Sequence, residues 1–211
     1  MVDAGALPLS TAEVAQLRSN TPGADNVVHL NHAGSSLPTQ ATLDTQIHHL
    51  QREAMMGGYE AADEAADRSD QVYASIGSLI GADHNEIARF EQATAAWNAG
   101  FWSIPMKRGQ RIITANAAYG ANAVAFLRAV ERRGVTIDVV GDDDSGHVDV
   151  DELARRVDSD VALIALTHVP TNGGLVNPAA AVGKIANNAS IPYLLDACQS
   201  VGHLHLDVDE I

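Results

Sequence analysis

Apolar residues are spaced along this chain in two rhythms. Short apolar runs closed by turn residues occur at 87–90, 111–114, 135–140, 161–166 and 193–195. Such runs predict strands buried on both faces of a parallel sheet. Between them apolar residues fall three and four apart, the spacing of an amphipathic helix. Helices are predicted over 121–133, with Val124, Leu127 and Val130 turned inward, over about 149–157 behind an Asp149 cap, and over 178–188 behind Pro178. Strand and helix alternate from Ile87 onward. The alternation predicts an α/β fold in three layers, a mostly parallel sheet covered by helices and joined by right-handed crossovers.

Upstream of Ile87 the rhythm is mostly helical. Ser10-Thr11-Ala12-Glu13 is a capping box, and it predicts a short helix with Val14 and Leu17 on one face. Thr21-Pro22-Gly23 stops it. A helix is predicted over 39–56, with Leu43, Ile47 and Leu50 in one stripe, and another over about 60–80. Residues 27–30 read as a short strand. It leads into Asn31-His32-Ala33-Gly34-Ser35-Ser36, whose small residues allow backbone to approach a ligand closely.

Candidate chemistry gathers in the stretch 191–208, IPYLLDACQSVGHLHLDV. Its apolar run ends abruptly in Asp196. A carboxylate at the tip of a buried strand is costly unless a cation or several donors meet it. Ligands of open α/β sheets bind at the carboxyl ends of the strands. Asp196 therefore stands where a ligand's positive group would lie, and Gln199 can offer it a donor and an acceptor. On spacing alone, Asp196 serves equally well as a cap of the next turn and Gln199 as a surface residue. Thr94, at the start of a predicted helix, offers a hydroxyl beside free N–H groups, an anion site or a plain cap. Trp97 and Phe101, four apart, read as core. His48 and His49 are adjacent on a helix and cannot form a metal pair. Asp63, Glu64, Asp67 and Asp70 read as a solvated face, and Asp142-Asp143-Asp144 as a solvated turn without calcium-loop spacing. No G-x-G-x-x-G or G-K-[ST] follows a strand, which disfavours dinucleotide and P-loop readings.

The formal net charge of −14 argues against nucleic acid and anionic membranes as partners. No apolar run is long enough to span a bilayer. The opening MVDAGALPLSTAEVAQL has neither a basic start nor a long apolar core, and the single cysteine, Cys198, excludes an internal disulfide. Both features lead to an expectation of a cytoplasmic protein.

The run Leu195-Asp196-Ala197-Cys198-Gln199-Ser200-Val201-Gly202 resembles the D-A-x-Q-S-x-G signature of class V aminotransferases. These are pyridoxal-phosphate (PLP) enzymes of fold type I that include cysteine desulfurases and relatives of isopenicillin N epimerase. The resemblance implies that Asp196 pairs with the protonated pyridine nitrogen and Gln199 with the ring's phenolic oxygen. A carboxylate there keeps the pyridinium charged, which makes the ring a better electron sink. The segment Glu91 to Asn98 resembles the family's phosphate-binding turn, which assigns the phosphate to Thr94 and the Ala95 N–H; Ala95 stands where the family often has Glu. Asn31 to Gly34 resembles a segment at the substrate entrance and brings in Ala33 and Gly34. In the loop Thr167 to Gly174, the polar residue beside the phenolic oxygen is Thr171 by counting and Asn172 by chemistry. Tyr119 takes the place of a histidine that stacks on PLP in many cysteine desulfurases. A phenol can stack, but it cannot act as a near-neutral acid/base, which weakens the desulfurase assignment within the family.

The resemblance further implies an amino-acid substrate, with transamination, C–S cleavage or epimerisation as the chemistry, and a homodimer. It covers about the first half of a family member. Residues 1–60 are then an N-terminal helical segment, part of a small domain or dimer arm, and 61–211 an incomplete PLP-binding large domain. Lys107 and Lys184 lack the context of the lysine that holds PLP as a Schiff base, and that position falls beyond Ile211. A chain truncated at its C-terminus and inactive alone is expected; a lysine-less pseudoenzyme or interaction protein on this scaffold is the alternative. Cys198 is expected to be a small buried core residue, since the family's sulfur nucleophile lies in the other half.

Overall fold

The capping box forms as its spacing predicts. Ser10 Oγ accepts the Glu13 N–H at 3.3 Å, and Glu13 accepts the Ser10 N–H at 2.7 Å. It opens α1, Thr11–Ser19, in a computed structural model that describes residues 8–211. The chain divides into two units, one up to Ser75 and one from Ile76 to Ile211.

In the first unit α1 is followed by α2 (Gln40–Met56), α3 (Gly58–Glu64) and most of α4 (Ala66–Ile80). The single helix predicted over 60–80 is broken at Ala65. The break puts Asp67 in the first turn of a new helix, where the helix dipole favours a carboxylate. Glu64, at the unfavourable end of α3, is met by Arg52 Nε of α2 at 2.9 Å. The strand predicted at 27–30 does not form. The segment is irregular, with Val28 and Leu30 each 90% exposed. A strand is held by a neighbouring strand, and among the described residues none pairs with this one. Ala61 is the one buried hydrophobic residue among those described up to Ser75.

The second unit is built on four parallel strands: β1 (Arg111–Ala115), β2 (Thr136–Val140), β3 (Val161–Thr167) and β4 (Tyr193–Asp196). Their order is β2-β1-β3-β4. The strand predicted at 87–90 is instead an irregular connection, with Phe90 at the surface, and it pairs with neither outer strand. Four helices cover the sheet: α5 (Ala93–Ser103), α6 (Gly120–Arg133), α7 (Val150–Arg156) and α8 (Ala179–Asn188). Successive strand residues point to opposite faces. Ile112, Leu163 and Ala165 pack with Trp97, Phe101 and Phe126 from α5 and α6. Ile113, Ile164 and Leu166 pack with Leu153 of α7 and Val182 and Ala186 of α8. All of β3 is buried, as its continuous apolar run predicts.

α6 presents a different face from the predicted one. Val124, Leu127 and Val130 are 51%, 63% and 38% exposed, and Asn122, Ala125, Phe126 and Ala129 are buried instead. Phe126 decides the rotation, because its ring meets Trp97 at 6.3 Å and Phe101 at 5.6 Å between centroids. Ala125 and Ala129 on the same stripe let the helix lie close to the sheet.

Toward the start of the strands, Arg111 donates to the Arg156 carbonyl at 2.7 Å and pairs with Asp158 at 2.9 Å and with Asp138. Arg156 in turn pairs with Asp138 and Glu152. This network ties β1, β2 and α7 together at the end of the sheet opposite Asp196. At the other end the strand order reverses direction between β1 and β3, the place where open sheets form a ligand crevice.

Candidate functional site

Asp196 closes β4, and its backbone carbonyl accepts the His168 N–H at 2.9 Å, which carries the β3–β4 pairing one residue past β3. Its side chain is met by neutral donors from α6 and from the turn that follows β4. Asn122 Nδ2 of α6 donates to Oδ2 at 2.6 Å, and the Cys198 N–H donates to Oδ1 at 3.1 Å. No cation is paired with this carboxylate among the described residues. Asn122 is 3% exposed and Asp196 half-buried, so this hydrogen bond to a carboxylate is partly shielded from water. Nothing in the spacing signalled Asn122, which lies 74 residues from Asp196 in sequence.

Beside this strand tip lies a cavity of about 450 Å³ over the ends of β1 and β3. Its wall includes Ala115, Asn116, Tyr119, Asp142, Thr167, Thr171, Asn172 and Asn177. The structure thus brings Tyr119, Thr171 and Asn172 to one cavity. Asp196, Gln199, Thr94 and Ala95 stand outside that wall. Tyr119 is the N-cap residue of α6 and is 52% exposed, so its ring is available to a ligand face. Thr171 and Asn172 lie on an exposed turn. Asn177, which the sequence reading missed, is buried. It donates to the Thr167 carbonyl at 2.8 Å and accepts the Val148 N–H at 3.0 Å, anchoring the loop that carries Thr171 and Asn172.

Thr94 lies in the first turn of α5 and is exposed. The Ala95 N–H already donates to the Gln92 carbonyl at 3.1 Å. The N–H groups left at the open end of this helix are those of Ala93 and Thr94. Gln199 is half-buried in the turn after β4. Ala33 and Gly34 belong to the unit up to Ser75. There the Gly34 N–H donates to Asn31 Oδ1 at 3.1 Å, and a Cβ on Gly34 would meet that side chain at 2.6 Å.

Two side chains near the strand tips have shifted protonation. His168 is buried with Nδ1 unpartnered, and desolvation lowers its pKa, which keeps the imidazole neutral. Cys198 is exposed rather than part of the core, because the turn after Asp196 carries it outward. Partial desolvation of the sulfur, then the Asp196 charge, push its thiol up to about 11. It is a thiol at neutral pH and not a ready nucleophile.

The donor set at Asp196 fits the cofactor suggested by the sequence. A carboxylate met by neutral hydrogen-bond donors, with no cation paired to it among the described residues, suits a protonated ring nitrogen.

Comparison with known proteins agrees. The chain is 29% identical over 155 residues to a probable cysteine desulfurase of Methanothermobacter thermautotrophicus, covering 74% of this chain and 38% of that protein. It is 32% identical over 151 residues to the cysteine desulfurase IscS of Proteus mirabilis, covering 70% of this chain and 37% of that protein. A solved variant of C-DES with glycine covalently linked to its PLP cofactor superposes with a TM-score of 0.82 at 20% identity, over 91% of this chain and 52% of that one. The chain therefore spans about two-fifths to a half of the length of these relatives, and its sheet and covering helices are those of the type I fold. No helix among the described residues is long and apolar enough to cross a membrane. The family described as Aminotransferase class-V matches residues 28–211, and this chain belongs to that family of PLP-dependent enzymes.

Proposed function

We propose that the whole protein is a PLP-dependent enzyme acting on an amino acid, with C–S bond cleavage as the first chemistry to test. The observation that carries the reading is Asp196, a carboxylate at a strand tip that accepts from Asn122 and the Cys198 N–H and has no cation paired to it among the described residues. Bound there, PLP would supply an electron sink for a carbanion at the substrate's α-carbon. Asp196 holds the ring nitrogen and keeps it protonated. Gln199, with Thr171 or Asn172, faces the phenolic oxygen. Thr94 and the open end of α5 hold the phosphate, where N–H groups and helix dipole both favour an anion. Tyr119 lies against the ring face; Ala33 and Gly34 are candidate substrate residues on the family resemblance alone. The cysteine desulfurases among the relatives support C–S cleavage; Tyr119, in place of a near-neutral acid/base, supports transamination or epimerisation. In this reading residues 1–60 belong to a small domain or dimer arm, 61–211 to an incomplete cofactor domain, and the active form is a cytoplasmic homodimer.

Lys107 lies in the turn before β1, at the opposite end of the sheet from Asp196, and Lys184 lies in α8. That placement supports a second reading for these residues by themselves, a lysine-less protein that binds PLP without a covalent link. The test is PLP titration of the full-length protein followed by borohydride. A new visible absorbance band that Asp196→Ala weakens and borohydride fixes is expected for the enzyme. Binding that borohydride cannot fix would favour the second reading, and no spectral change would sink both.

A further inference from the structure

We infer that Asn122 is a positioning residue that sets the Asp196 carboxylate against the cofactor's ring nitrogen, an inference that rests on the cofactor reading above. Asn122 is the third residue of α6, 3% exposed, with its amide 2.6 Å from Asp196 Oδ2. The other carboxylate oxygen takes the Cys198 N–H at 3.1 Å. Two donors from two separate elements thus fix the plane of the carboxylate, which a single contact would leave free to turn. Both are neutral, so they hold the negative charge without cancelling it.

Asn122 also joins two parts of the site. Its backbone N–H donates at 2.9 Å to the carbonyl of Tyr119, the residue proposed to lie on the ring face. The same first turn of α6 therefore carries the stacking ring and clamps the carboxylate, and the spacing between them is set by a helix and not by a loop. Asn has the required form. Leu or Val would take this donor from a half-buried carboxylate oxygen. Lys or Arg would neutralise the charge the ring nitrogen needs.

A purely structural pair of buried polar groups would look similar, so the test separates the two roles by chemistry. Apo forms of the full-length protein and of Asn122→Leu are titrated with PLP and with its deaza analogue, in which C–H replaces the ring nitrogen. We expect Asn122→Leu to bind PLP about tenfold more weakly, equivalent to about 1.4 kcal/mol, and to bind the deaza analogue as the unmodified protein does. An equal loss for both ligands makes Asn122 a fold residue only and overturns the inference. Unchanged PLP affinity overturns it too. If the unmodified protein binds no PLP, the cofactor reading falls and the positioning role with it. Asn122→Val, smaller than leucine and likewise without a donor, gives the same ratio test if the leucine variant does not fold.

Discussion

The two units of this chain use the same helical pattern to different ends. Up to Ser75, α1 and α2 contain no buried residue, and Leu43, Ile47 and Leu50 along α2 are 37%, 44% and 63% exposed. From Ile76 onward, strands supply what those helices lack. Phe101, Ile112, Ile113, Leu163 and Val182 are each at 0% exposure because each helix lies on a sheet face and each inner strand has two neighbours. An apolar stripe is thus a statement about a helix's shape and not about its burial. Caps and stripes form α1 and α2 locally; only a sheet turns such stripes into core.

The comparison can be broken most directly at Phe101. Phe101→Ala opens a cavity between α5, α6 and the sheet and should cost about 3–5 kcal/mol in urea unfolding. A loss below about 1 kcal/mol would mean the second unit is packed as loosely as the first. Next comes Asp138→Ala, which deprives Arg111 and Arg156 of a shared partner. These groups are partly solvated, so the expected loss is about 1–3 kcal/mol, shrinking in added salt. Asp149 accepts the Glu152 N–H at 2.8 Å and caps α7. Asp149→Ala should cost about 1 kcal/mol, read as a shift in urea midpoint at constant slope.

His168 sharpens the comparison through pH. Its folded pKa lies below the ordinary 6.5 because burial disfavours the charge. The unfolded chain then binds the extra proton, so stability is full above about 6.5 and declines as pH falls from there toward the folded value. His168→Asn should remove that part of the slope in unfolding measured from pH 7 to pH 5. The smallest effect belongs to the first unit. Leu50→Ala on α2 should change stability by no more than about 0.5 kcal/mol, and a loss of several times that would show its stripe to be covered in solution.

The element list was largely legible from residue order. β1, β2, β3 and β4 fall on their predicted runs, and the Ser10 and Asp149 caps form as written. The errors at 27–30 and 87–90 share one cause. An apolar run predicts a strand only if another strand lies beside it, and a short window does not contain that neighbour. The candidate site was legible where its residues are contiguous, in Asp196 to Gln199 and in the turn ahead of α6. It was not legible at Asn177 or Asn122, whose partners are distant in sequence.

By itself the sequence determined where β1 to β4, α6, α7 and α8 run, the strand that delivers Asp196, and the motif that places the chain in its family. Those features depend on periodicity, capping and short spacing, all set within a few turns of chain. The tertiary structure decided which face of α6 turns inward, that Cys198 points outward, and that Asn122 meets Asp196. Each depends on volumes and hydrogen bonds between segments far apart in the chain, which compete for the same space only once the sheet has formed.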